Sequence, residues 1–307
     1  MTWLAWRQFR ANAVGATLAT VAVVVVLVAT RGHVANVTDP ATLATGYKSL
    51  RLLGTALIGV PAFIGAFWGA PLLAREFEAG TFRLAWTQSV SRRRWLATKV
   101  GVVSVFTIAI AGGFSLVFSW WSLPFDQLGN RIGTANFAQR GIVPIAYALF
   151  ALALGTLAGG VLRRTLPAIA TTLAGFFIVR FAFQLAVRPH LIATVTANLP
   201  NNVFGQRDGN GATSGGWILS SKTVNATGHA LTNSQIDQIV RRSCTVTTRT
   251  TTADLGRCAD RLGLRDVVRM HPASQFWSLQ ALEAASFVIL AAGLVLAAFW
   301  WIHRHAA

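Results

Sequence analysis

Apolar residues run almost unbroken over residues 13–30, 52–73, 100–121, 141–162, 166–187 and 278–302, and the charged residues gather in the gaps. Each run has roughly the 17–25 residues needed to cross about 30 Å of hydrocarbon at a rise of 1.5 Å per residue. The pattern predicts an all-α membrane protein of about six transmembrane helices. The fourth and fifth runs are separated only by Arg163, Arg164 and Thr165, which predicts a tight helical hairpin. The first run, Val14 to Ala29, is too long for the apolar core of a cleavable leader and reads as a retained span.

Residues 188–277 break the pattern. They are rich in Asn, Gly, Thr and Ser and hold no long apolar run. Ser234 can cap a short helix reaching Arg242, and Thr252 to Leu262 reads as another. Three divisions follow: residues 1–187 with an N-terminal interfacial helix and five spans, a small external domain over 188–277, and residues 278–307 with the sixth span and a tail.

Composition agrees with a lipid environment. Hydrophobic residues make up 53% of the 307 and charged residues only 12%, about half the charged share of a soluble protein. The net charge of +17 would suit nucleic acid, but the basic residues lie between apolar runs and form no single basic face. That placement opposes a nucleic-acid partner and suits the positive-inside rule and anionic headgroups. With the N-terminus inside, the inner segments carry eleven Lys and Arg and the short outer loops five. The expected topology is N-in and C-in. The tryptophan pairs Trp120/Trp121 and Trp300/Trp301 fall at span ends, as an interfacial aromatic belt requires.

The informative polar stretch is Arg75 to Lys99. Glu76 and Glu78 are two of only three glutamates in the chain and stand where the second span leaves the membrane. Gly80 can end that helix, and Thr81 can cap a short amphipathic one that places Phe82 and Trp86 on one face with Arg83 beside them. Ser91 and Arg92 then open the third span. Such a bracketed surface helix can receive a push from a soluble partner; a charged loop that only fixes topology is the alternative. Inside the fifth and sixth spans, Arg180 and Glu283 each lie about 10–12 Å from the outer end by helix rise. Unpaired charges at that depth are costly, so an interhelical ion pair between them is expected, against the alternative that Arg180 snorkels outward. Cys244 and Cys258, 14 residues apart in the external segment, can close a disulfide or stand as two thiols. His303 and His305 have no ligating neighbours, so no metal site is expected, and no catalytic motif is evident.

The phrase FWGAPLLAREFEAGTFRLAWTQSVSRRRWLATK, with WLAWRQFR at the start and HPASQFWSLQALE before the last span, resembles the type-2 ABC exporter permeases, those of actinobacteria especially. In this chain the resemblance rests on Glu76, Glu78, Gly80, Thr81, Ser91, Arg92 and Lys99. It implies a cytoplasmic coupling helix near 81–89, a second permease copy or paralogue, and a separate cytoplasmic ABC ATPase that carries ATP and Mg. Export of a hydrophobic or amphipathic compound is the implied function, with no cofactor bound by this chain. The ninety residues between the fifth and sixth spans depart from the family's usual short re-entrant helices. No GxxxxGK[ST] occurs, and neither Lys48 nor Lys222, each followed by a hydroxyl residue, has a phosphate-cradling glycine loop before it. Two other readings stay open: a membrane enzyme acting on lipid-linked substrates through Asp208, Asp237, Asp254, Asp260, Asp266 or His271, and a membrane sensor or structural protein.

Overall fold

In the computed structural model of the protein, residues 2–35, 57–80, 91–128, 132, 137–200, 216–244 and 252–305 are described. Among them six helices are long and apolar enough to span a membrane. These are α1 (Thr2–Ala35), α2 (Leu57–Glu78), α3 (Arg92–Trp121), α4 (Val143–Leu162), α5 (Thr165–His190) and, after the polar segment, α8 (Phe276–His305). The chain clusters into two compact units: Met1–Leu123 with Thr134–Leu191 and Ser278–Ala307, and Pro124–Gly133 with Ile192–Trp277.

In the first unit α1 is one unbroken helix from Thr2, so no turn separates an interfacial segment from the span. α2 ends at Glu78, five residues beyond its apolar run, because its terminal glutamates find partners on neighbouring helices. The segment 81–90, where the short amphipathic helix is expected, lies outside the described residues.

Small residues set the packing of α2 against α4. α2 contains a π turn at Gly65–Gly69; the two glycines that bound it lie against Gly155 of α4, and Ala70 just after it lies against Gly159. A Cβ at Gly69 would lie 2.6 Å from the carbonyl oxygen of Leu152, and one at Gly155 or Gly159 would press into the carbonyl oxygens of Gly65 or Ala70. Two small-x-x-x-small stripes thus let the backbones touch, which is how helices associate where lipid removes the hydrophobic drive. Ala70, Ala74, Ala158 and Ala168 continue the close approach toward the α4–α5 hairpin. That hairpin turns on Arg163, whose φ of 55° is the left-handed cap that ends α4.

The second unit carries a feature the apolar pattern did not predict, a three-stranded antiparallel sheet in the order β1-β3-β2. β1 is Val195–Pro200, β2 is Trp217–Val224 and β3 is Arg265–His271. Val195 pairs with Met270 and Trp217 with His271, with a bulge between Ile218 and Ser220. Two helices, α6 (Asn233–Ser243) and α7 (Thr252–Arg261), pack together through Ile236, Val240, Leu255 and Cys258. The cap of α6 is Thr232 and not Ser234. Thr232 is extended and accepts from the Gln235 amide, while the Gln235 side chain reaches back to the Thr232 N–H, a full capping box. Cys244 and Cys258 are disulfide-bonded, with Cα atoms 6.0 Å apart.

Candidate functional site

The three glutamates of the first unit lie at the two ends of the helical bundle. At the end that flanks residues 81–90, α2 closes with Glu76 and Glu78. Two residues apart on a helix, they point about 200° away from each other, and so reach different neighbours. Glu76 forms an ion pair with Lys99 of α3, both side chains mostly shielded at 13% and 8% exposure. Lys99 also lies over the Trp95 ring. Glu78 accepts from the backbone N–H of Thr165 at 2.9 Å and from its hydroxyl at 2.5 Å. α5 has no side-chain cap of its own, so Glu78 caps it from α2. The first N–H groups of a helix need such an acceptor, and a negative charge suits the positive end of the helix dipole.

The start and finish of the intervening segment are fixed as well. Gly80 has φ of +67°, a conformation that costs glycine nothing, and its N–H bonds to the Phe77 carbonyl at 3.3 Å. Ser91 is extended, and its hydroxyl accepts from the Arg94 N–H at 3.3 Å, capping α3, which Arg92 opens. Thr81, Phe82, Arg83 and Trp86 lie outside the described residues.

The opposite end holds the third glutamate. Glu283 of α8 is 1% exposed. The expected partner was Arg180; the structure gives Arg188 instead, with Nε 3.4 Å from the carboxylate. The Tyr147 hydroxyl of α4 donates to the same carboxylate. Arg180 is also buried. Its guanidinium lies over the Tyr147 ring at 5.1 Å and its one hydrogen bond, to Gln184, is long at 3.5 Å. The reason for the exchange is a second π turn, at Phe183–Val187. Eight residues of regular helix would set Arg180 and Arg188 about 80° apart. The π turn acts as a one-residue insertion and brings both to the same face. Gln280, one turn before Glu283 and fully buried, accepts from the N–H groups of Ile142 and Val143 at 3.1 and 3.0 Å and donates to the Phe137 carbonyl at 2.9 Å. It caps α4 from α8, as Glu78 caps α5 from α2.

Tyr147, Arg188, Gln280 and Thr165 were not picked out by sequence reasoning. A tyrosine or glutamine inside an apolar run was the available signal for Tyr147 and Gln280. Among the described residues no group of three or more His, Cys, Asp and Glu gathers as a metal site would. In the second unit Asp254 pairs with Arg257 at 2.6 Å, Asp266 accepts from the Thr223 hydroxyl at 2.7 Å, and buried His271 stacks on Trp217 and meets Gln275 at 2.8 Å. The contacts of Asp266 and His271 join β2 to β3, and the Asp254 pair lies within α7.

A family model described as ABC-2 membrane transporter related matches residues 16–188, more than half of the chain. Neither the curated proteins nor the solved structures contain a match.

Proposed function

The chain belongs to the ABC-2 membrane transporter related family, a multi-pass permease of the bacterial plasma membrane, and from that premise we propose that it is the force-receiving subunit of an ATP-driven exporter. Residues 81–90 face the cytoplasm and dock on a separate ABC ATPase that binds ATP and Mg. Both chain termini lie on that side. A second copy or a paralogue completes the translocation path, and the cargo is a hydrophobic or amphipathic compound.

The observation that carries this reading is the pair of glutamates beside that segment. Glu76 ties the end of α2 to α3 through Lys99, and Glu78 ties it to the start of α5 through Thr165. A displacement of residues 81–90 therefore acts on three spans at once. The π turn in α2 and the glycine contact with α4 give that helix a packed surface on which to slide. Packed helices with two alternative arrangements are the physical basis of such transmission.

The test is to purify the permease with its ATPase in lipid vesicles and replace Phe82 and Trp86 with Asp. Two buried carboxylates at a docking face leave charge without a partner. ATP hydrolysis is expected to continue while transport of an amphipathic dye stops. Unchanged transport per ATP would overturn the docking assignment.

A further inference from the structure

α1, α2, α3 and α4 surround a cavity of about 120 Å³ in the half of the bundle away from Glu76 and Glu78. Its existence follows from the side chains that face it. Ala19, Pro61, Ala111, Ala138, Pro144 and Ala148 are too short to meet across the space. One turn further along α2 and α4 stand Trp68 and Leu152, and there the helices close into a packed cluster. Ile64, Ala111 and Ala148 belong both to that cluster and to the cavity wall, so tight core borders the void. Among the described residues that line it none is charged, and only Thr20 and Gln139 are polar. A space of this composition stays dry, and its walls forfeit dispersion contacts that a guest would supply. An ion entering it would lose its hydration with no counter-charge in exchange. Ala19, at the rim, is exposed and leaves a side entrance.

We infer that this cavity, inside a single subunit, binds an uncharged hydrocarbon group, an aryl ring or a chain end, carried by an amphiphile whose polar head stays outside. The size sets the class: a cavity of roughly 150 Å³ takes up benzene, so the guest is a group of about six carbons. Two sources carry such a group, cargo and membrane lipid, and the first of them rests on the permease reading. Depth agrees with either. By helix rise Ala148 lies about 8 Å from the start of α4, and Ala111 about 15 Å from the end of α3. A group hanging from a head at that end of the bundle reaches this level within half the bilayer core. Ile64 stands directly before the π turn of α2, with Pro61 one turn earlier. Sliding of α2 along α4 would move both against Ala148 and change the space open to the guest.

The probe is 3-phenyl-3-(trifluoromethyl)diazirine, a photoreactive single ring, added to the full chain in phosphatidylcholine nanodiscs with toluene as competitor. Peptide mass spectrometry is expected to find insertion at Ala19–Val23 and Ile110–Phe114 that excess toluene abolishes. Insertion at Val105 and Leu116, exposed on the bundle surface, is expected to persist. Ala111→Leu and Ala148→Leu each fill the space and are expected to remove the competed insertion without lowering Tm. Phe114→Ala enlarges it and is expected to admit naphthalene, which the wild-type protein refuses. Insertion that toluene does not suppress would overturn the inference with no variant needed. So would competed insertion that survives both filling substitutions, or equal competition by naphthalene in the wild-type protein. A phosphatidylcholine bearing the same diazirine at its chain end separates the sources. Its insertion at these residues assigns the guest to the bilayer; insertion by the free probe alone assigns it to cargo. Binding needs no ATPase, so Phe82 and Trp86 variants with unchanged coupling would remove the docking assignment and leave this site standing. Loss of the competed insertion would do the reverse.

Discussion

The two ends of the bundle solve one problem with different chemistry. Each has a helix that begins without a side-chain cap of its own, α5 at one end and α4 at the other, and each borrows an acceptor from another span. At the end beside residues 81–90 the borrowed group is a carboxylate, Glu78, in a solvent-exposed setting. At the opposite end it is the neutral, fully buried amide of Gln280. Charges differ in number: Glu76 has the mostly shielded Lys99, whereas the buried Glu283 has the bonded Arg188 and a nearby Arg180. Water screens the exposed Glu78 contact, while burial makes the Glu283 contacts costly to disturb.

The largest expected effect is at the buried carboxylate. Glu283→Leu strands two guanidinium groups, and breaking a buried pair costs about 3–5 kcal/mol. Thermal unfolding in detergent is expected to show this as a large fall in Tm, well beyond that of Glu76→Gln. Double-mutant cycles sharpen the partner assignment: Arg188 with Glu283 is expected to couple more strongly than Arg180 with Glu283. The reverse order would return the pair to Arg180.

Gln280 comes next. Gln280→Leu leaves the Ile142 and Val143 N–H groups and the Phe137 carbonyl without their acceptor and donor, at a cost of about 1–3 kcal/mol for each buried group left unsatisfied. Hydrogen exchange at the first turn of α4 is expected to rise in this variant and to stay unchanged at the first turn of α5. A rise at both ends would mean that the caps are not independent.

Apolar run length was enough to find all six spans, since the bilayer fixes the length of a helix and permits no exposed backbone. Local turn chemistry was legible too, at Gly80 and Ser91. What could not be read were partners distant in the chain. Glu78 and Thr165 are 87 residues apart, and nothing local in either names the other. The choice of Arg188 over Arg180 needs the π turn at Phe183–Val187, and counting at a regular helical period cannot supply it. The glycine contact was legible in GAFWG and GTLAG, small residues at four-residue spacing, but their position inside long apolar runs drew attention to hydropathy instead. β3 was not read as a strand, because one of its inward residues, Asp266, is charged and hides the alternation that Val268 and Met270 begin. β1 and β2 carry no such alternation, and their pairing rests on β3.

The smallest expected change in stability belongs to Glu78, and it decides what that end of the bundle is for. Glu78→Gln removes the charge but keeps an acceptor for the Thr165 N–H, so Tm is expected to be unmoved. If Glu78 serves only as a cap, transport per ATP is unmoved as well, because the hydrogen bond survives. If the charge-assisted hydrogen bond transmits displacement from residues 81–90 to α5, weakening it loosens that transmission while ATP hydrolysis continues. Glu76→Gln affects α3 alone, so the double variant is expected to lose more transport per ATP than either single one. Normal coupling in the double variant would show that motion reaches α3 and α5 by another route, through the glycine-packed face of α2 against α4, where Gly155→Ala would then have the effect that the glutamates lack.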